Sequence, residues 1–372
     1  MKYVDEYREP ARCRRLLDDI RQTATQCWTI MEVCGGQTHG LLRYGIEDEL
    51  EGTVRLLHGP GCPVCVTSMG AIDSAIELAT RPDVLVTSFG DMLRVPGSRK
   101  SLSQARADGG HVQTVYSPLD AVQVAQRDPD RQVVFFAVGF ETTAPATALA
   151  VQQASELGLD NFSLLVSHVR VLSAMEMLAS SPRNSVQGFL AAGHVCAVTG
   201  YACYDAFAES FQVPVVVTGF EPFDLLSGIL ACVQLLEKGE AVVCNQYGRS
   251  VTREGNHSAL EIVESVYEAC DRDWRGIGGI AKGGLQLRDR WRQFDALVRF
   301  PQSATSTAES HECRSGDVLI GRIRPTQCEH FGVRCTPNAP LGAPMVSSEG
   351  ACAAYYRYAG NQEQTPPLEQ TP

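Results

Sequence analysis

From Val54 onward, short β-branched apolar runs alternate with amphipathic segments, and that alternation limits the folds open to the chain more than any other feature. The runs are Val84-Leu-Val-Thr-Ser-Phe89, Gln132-Val-Val-Phe-Phe-Ala-Val138, Phe162-Ser-Leu-Leu-Val166, Ser185-Val-Gln-Gly-Phe-Leu190 and Val213-Pro-Val-Val-Val-Thr218. Continuous apolar runs of this length fit strands buried on both faces, as parallel sheets require. Helical patterns near 69–80, 117–128, 143–157, 171–180 and 224–238 separate them. Repeated strand–helix–strand order means α/β architecture with crossover helices.

Three of these strands end in related turns: Ser88-Phe-Gly-Asp91, Val138-Gly-Phe-Glu141 and Thr218-Gly-Phe-Glu221. Each sets Gly, Phe and a carboxylate at the strand's C-terminal end, the edge where open α/β sheets bind ligands. A single copy fits an ordinary βα turn; three copies point to two related α/β lobes with parallel sheets around a cleft. Residues 3–27 carry the charge and periodicity of a surface helix. After about residue 240 apolar runs give way to glycine-rich and Pro-punctuated stretches. The expected organisation is an N-terminal helical segment (1–29), lobe I (30–130), lobe II (131–240), a smaller C-terminal domain (241–360) and a Pro-rich, disordered tail (361–372).

Of 14 cysteines, seven fall into two constellations. Cys34 stands in Cys34-Gly-Gly-Gln-Thr-His39, with Cys62-Pro-Val-Cys65 following. Cys313, Cys328, Cys335 and Cys352 form the second group. The N-terminus has charges where a signal peptide needs an apolar stretch, and no run of 18 apolar residues occurs, so a cytoplasmic protein without a membrane partner is expected. In a reducing compartment, grouped cysteines indicate metal binding or redox chemistry rather than a disulfide framework. The net charge of −11 gives no reason to invoke nucleic acid.

Cys62 and Cys65 follow the expected strand 54–58 and precede the expected helix from Ser68. A C-x-x-C pair at a helix start favours thiolates and outlines a thiol–disulfide switch; half a zinc site is the alternative. Cys34 follows the expected strand Trp28–Val33, with Gly35 and Gly36 as a flexible turn. Its thiolate fits either a metal ligand or a nucleophile, with His39 as a nearby base. The C-terminal spacing, Cys-x14-Cys-x6-Cys-x16-Cys, lacks the close pairs of structural zinc sites and suits a [4Fe–4S] cluster. Zinc and scattered buried thiols remain alternatives. Arg314, Arg322, Arg324 and Arg334 stand among these cysteines and would offset a cluster's negative charge. Cys13, Cys27, Cys232, Cys244 and Cys270 read as small packed apolar groups. Cys196 and Cys203 read as buried more than paired. His58, His168 and His194 read as structural residues at strand ends.

The motifs Cys34–His39, Gly59-Pro-Gly-Cys-Pro-Val-Cys65, Phe89-Gly-Asp-Met-Leu-Arg-Val-Pro-Gly97, Gly139-Phe-Glu-Thr-Thr-Ala-Pro145 and Met345-Val-Ser-Ser-Glu-Gly-Ala-Cys352 closely resemble the HypD family of [NiFe]-hydrogenase maturation. The resemblance covers about residues 28–358. It implies a scaffold, formed with a HypC-type small chaperone, on which the Fe(CN)2CO unit is assembled. A HypE-type protein would deliver cyanide, with HypF upstream. Carried onto this chain, Cys34 would bind the transient Fe(II) that carries CN and CO, and His39 would lie beside it. Cys62 and Cys65 would relay electrons, and Glu141 would line the cleft. Cys313, Cys328, Cys335 and Cys352 would hold a [4Fe–4S] cluster. This chain departs from the family at Gln37, where His is common, and around Ser68, Met69, Ala192 and Cys196. No Gly-x-x-x-x-Gly-Lys-[Ser/Thr] loop occurs, so energy for ligand synthesis would come from partners. A stand-alone iron–sulfur thiol/disulfide oxidoreductase is the competing reading.

Overall fold

The computed structural model describes residues 5–301 and 312–358; the tail 361–372 lies outside them. The apolar runs form strands with every pairing parallel inside two sheets, as expected for an α/β fold. The first has the order β2 (Val54–His58), β1 (Trp28–Glu32), β7 (Gly188–Ala192), β8 (Val215–Thr218), β9 (Val243–Asn245). The second has the order β4 (Val112–Thr114), β3 (Val84–Ser88), β5 (Gln132–Gly139), β6 (Phe162–His168). Val133–Val138 of β5 are all buried, which explains their unbroken apolar run.

These sheets do not follow the contiguous lobes 30–130 and 131–240. The first takes strands from 28–58 and again from 188–245, and the second occupies 84–168 between them. Apolar runs establish that a strand is buried but carry no mark of its partner, so the interleaving had no local signal.

The helix Pro222–Lys238 illustrates how sequence builds an element. Pro222 opens it, Glu221 and Asp224 form reciprocal caps, and Gly239 closes it at φ 66°. Its apolar face covers the first sheet and receives the helix Pro10–Thr23, which buries Cys13, Leu17 and Ile20. The expected 3–27 helix is thus shorter, with a 3₁₀ turn at Asp5–Tyr7 before it.

The C-terminal texture expected after 240 contains an antiparallel hairpin, β10 (Tyr267–Trp274) and β11 (Gly278–Leu287). It leans on the second sheet through a bridge between Val169 and Gly284. It also reaches the C-x-x-C region: Thr67 bridges Trp274, and the Arg275 N–H donates to the Val66 carbonyl at 2.8 Å. Cys13 and Cys232 are buried as expected. Cys27 is instead exposed, and Cys244 and Cys270 are half-buried. Cys196 is buried, whereas Cys203 is exposed and the two are not bonded. Among the described residues no helix is long and apolar enough to cross a membrane.

Candidate functional site

Cys34 sits just past the C-terminal end of β1, as the N-cap of the helix Gly35–Arg43. Gly35 and Gly36 therefore open a helix rather than form the flexible turn expected. Close approach explains both glycines: a Cβ on Gly35 would stand 2.2 Å from the Glu349 carbonyl oxygen, and one on Gly36 3.1 Å from the Phe220 ring. The Cys34 N–H donates to Glu32 Oε2 at 2.7 Å, and the Thr38 hydroxyl donates to Glu32 Oε1. The thiol is 1% exposed, and burial pushes it far above the usual thiol range.

The imidazole facing this thiol is His194, not the expected His39. His194 Nδ1 lies 3.7 Å from Cys34 Sγ, and its ring stacks on Phe220 at 5.3 Å. Burial lowers the His194 pKa, which favours the neutral ring. His39 turns to the C-terminal helix, with Nδ1 3.4 Å from the Tyr358 hydroxyl. His58 and His168 are hydrogen-bonded structural residues, as read from the sequence; His194 lies 160 residues from Cys34, and no local signal joined them. Phe220 belongs to one of the three repeated Gly-Phe turns, and this turn does border the site.

Cys62 and Cys65 are joined in a disulfide, with 3% and 0% exposure. They occupy a separate one-turn helix, Pro63–Val66, rather than the start of the longer helix Met69–Ala79, which Ser68 caps through Ala71 N–H. The preceding turn grips the Cys34 motif. The Gly35 N–H donates to the Gly61 carbonyl at 2.9 Å, and a Cβ on Gly61 would stand 2.2 Å from Cys34 N.

Cys313, Cys328, Cys335 and Cys352 all line one cavity, together with the apolar Val318, Phe331, Leu341 and Met345 and the polar Glu312, Arg314, Ser315 and His330. The Leu341 N–H points at Cys335 Sγ at 3.4 Å, and a Cβ on Gly342 would stand 2.2 Å from Cys313 Sγ. Among the described residues no three His, Cys, Asp or Glu side chains converge tightly enough to hold a single metal ion. The four arginines expected to offset a cluster each meet a carboxylate: Arg314 and Arg322 pair with Asp317, Arg324 with Glu47, and Arg334 with Glu312. The short helix Ala343–Val346, which lends Met345 to this cavity, packs on Pro63–Val66, the turn that carries Cys65.

Glu141 lies at the end of the β5 turn. Its Oε1 accepts the Val171 N–H at 3.0 Å, and its Oε2 is buried without a partner. Burial raises this carboxyl to about 7. Asp91 and Arg94, from the first repeated turn, pair at 3.3 Å and also hold the C-terminal segment, through Ser348 and the Val346 carbonyl. Gln37, fully buried, donates to the carbonyls of Ala191 and Thr218, bridging β7 and β8 beneath the site.

A family model described as "HypD: Hydrogenase formation hypA family" matches residues 11–359. The chain belongs to the HypD family. It is 45% identical to the hydrogenase maturation factor HypD of Rhodobacter capsulatus, over 97% of this chain and 99% of that protein. It is 46% identical to its counterpart in Azotobacter vinelandii (98% of each chain) and 42% identical to that of Escherichia coli strain K12 (98% of this chain, 100% of that protein). This HypD-family chain is thus a hydrogenase maturation factor.

Proposed function

We propose that this maturation factor is a scaffold for the Fe(CN)2CO unit, holding the iron as substrate on Cys34. The observation that carries the reading is the pairing of a buried thiol with a neutral imidazole beside a disulfide. Iron binding would displace the Cys34 proton to give the thiolate that a soft metal requires, and His194 Nδ1 stands 3.7 Å from that sulfur. The close approach of Gly61 to the Cys34 backbone and of Gly36 to the Phe220 ring holds the turn that presents the sulfur. A HypC-type chaperone would supply a second thiolate, and a HypE-type protein, fed by HypF, would bring cyanide.

The C-terminal cavity fits a [4Fe–4S] cluster. Four thiols lining one cavity, with a spacing that lacks the close pairs of a structural zinc site, suit a body with one ligand per corner. When bound, the cluster supplies electrons one at a time. The Leu341 N–H points at Cys335 Sγ, one of the thiols that would hold the cluster, and Phe331 and Met345 supply apolar wall. Opening the Cys62–Cys65 bond to two thiols takes up two electrons and two protons, a store that lies against the Cys34 motif.

Infrared spectroscopy of the anaerobically purified complex with its small chaperone tests the assignment. Stretching bands of iron-bound cyanide and CO are expected, and are expected to vanish in Cys34→Ala. Bands that persist in that variant overturn the role of Cys34.

A further inference from the structure

An unbroken line of buried polar contacts joins the helix that carries Cys352 to the peptide of Cys34. Tyr355, one turn beyond Cys352, has its hydroxyl 2.8 Å from both Glu47 carboxylate oxygens and 3.1 Å from His58 Nε2. His58 Nδ1 lies 2.8 Å from Glu32 Oε1, and Glu32 Oε2 accepts the Cys34 N–H at 2.7 Å. Arg324, four residues before Cys328, adds a second tie at 3.3 Å from Glu47. Glu32, His58, Glu47 and Tyr355 are each under a tenth exposed, so water does not replace a lost partner. The same C-terminal stretch closes on Cys34 elsewhere, through Glu349 against Gly35 and Tyr358 against His39.

Stability alone does not explain such a line. Buried ionic groups contribute little compared with apolar residues of equal volume, whereas breaking one partner is costly. What a fully satisfied polar network fixes is one geometry. Here both ends of that geometry are thiol sites. The supports on the C-terminal side, Tyr355 and Arg324, come from the chain that wraps the four-cysteine cavity.

We propose that His58, Glu47 and Tyr355 are positioning residues that tie the placement of Cys34 to the filling of the C-terminal cavity. This rests on the reading of that cavity as a cluster site. Filling the cavity orders the segment that carries Tyr355 and Arg324; the hydrogen-bond line transmits that order to Glu32 and closes the pocket over Cys34. An empty cavity loosens the segment and exposes the thiol. By linkage, a bound iron at Cys34 stabilises the filled cavity to the same degree.

The test is the iodoacetamide alkylation rate of Cys34 in full-length protein purified anaerobically without its small partner, read by peptide mass spectrometry before and after iron is stripped with a chelator. Cys232, buried on the far side of the first sheet, is the internal control for global opening. In the native sequence, stripping is expected to raise the Cys34 rate about tenfold, a usual coupling between sites, with Cys232 unchanged. Tyr355→Phe and Glu47→Gln are expected to show the fast rate already in the filled protein, with iron and sulfide retained. A Cys34 rate indifferent to stripping overturns the proposal, as does a native tenfold ratio in both variants. So does a rise at Cys232 equal to that at Cys34. If the starting protein holds no iron and sulfide, the cluster reading itself fails, and the metal assay shows this separately from the alkylation data.

Discussion

Cys34 stands at the end of β1, a strand flanked on both sides by parallel neighbours, whereas Cys313, Cys328, Cys335 and Cys352 stand on turns and helices of at most eight residues. A ladder of backbone hydrogen bonds fixes the first site whether or not it holds anything. The second is held by local turns and short helices, as where the Cys335 N–H donates to the His330 carbonyl at 2.8 Å. On the proposed reading, the sheet-framed site would take a guest that leaves and the turn-framed site a resident.

The sharpest way to break that contrast is Cys328→Ala. It is expected to abolish iron and sulfide binding and to unprotect residues 312–358 in hydrogen exchange, while the strands keep their protection. Uniform loss of protection would place both sites in one cooperative unit.

Raising the pH probes the charged line between them. Burial alone would lower the His58 pKa, but hydrogen bonds to Glu32 and Glu47 raise it from 6.5 to about 9. A raised folded-state pKa stabilises fully below 6.5 and is lost as pH climbs through about 9. The loss is expected to be roughly 3 kcal/mol, measured as a falling urea midpoint over that window. In His58→Gln that slope is expected to disappear; a slope that survives assigns it to another group.

Gly61→Ala attacks the rigid site directly. Its new Cβ would meet backbone atoms of Cys34, at an expected cost of about 2 kcal/mol in denaturant unfolding. Unchanged stability would mean the turn yields, and the first site is softer than its ladder implies. Cys34→Ala is expected to cost only about 1 kcal/mol and to leave C-terminal iron intact; lost iron would show that the two sites are one. Arg334→Gln, which removes an exposed pair with Glu312, is expected to shift stability by under about 0.5 kcal/mol. A larger fall in the filled protein alone would give Arg334 a role in balancing the cavity's charge.

Much of this was legible in the residues. β3, β5, β6 and β8 announced themselves as apolar runs, and the three Gly-Phe turns do close the strands β3, β5 and β8. Strand order was not legible, because β1 pairs with β7 from Ile30 to Gly188 and no local pattern names so distant a partner. The hairpin 267–287 was missed because Asp271, Arg272 and Asp273 interrupt its apolar alternation and glycines weaken its second strand. At the site, Cys34 and the C-x-x-C pair stood out by motif. His194 and Glu32 did not: a lone histidine or glutamate near a strand end is ordinary, and only folding sets them against the thiol.

The interleaved first sheet has a consequence for how the protein is made. β1 cannot find β7, β8 and β9 until residue 245 has been synthesised, and at about 5–20 residues per second that comes roughly 10–40 s after Cys34 leaves the ribosome tunnel. Through that interval the sulfur hangs on an unfinished ribbon with neither His194 opposite it nor Glu349 above it. The pocket around Cys34 belongs to the completed polypeptide, and the nascent one is the form most open to oxidants.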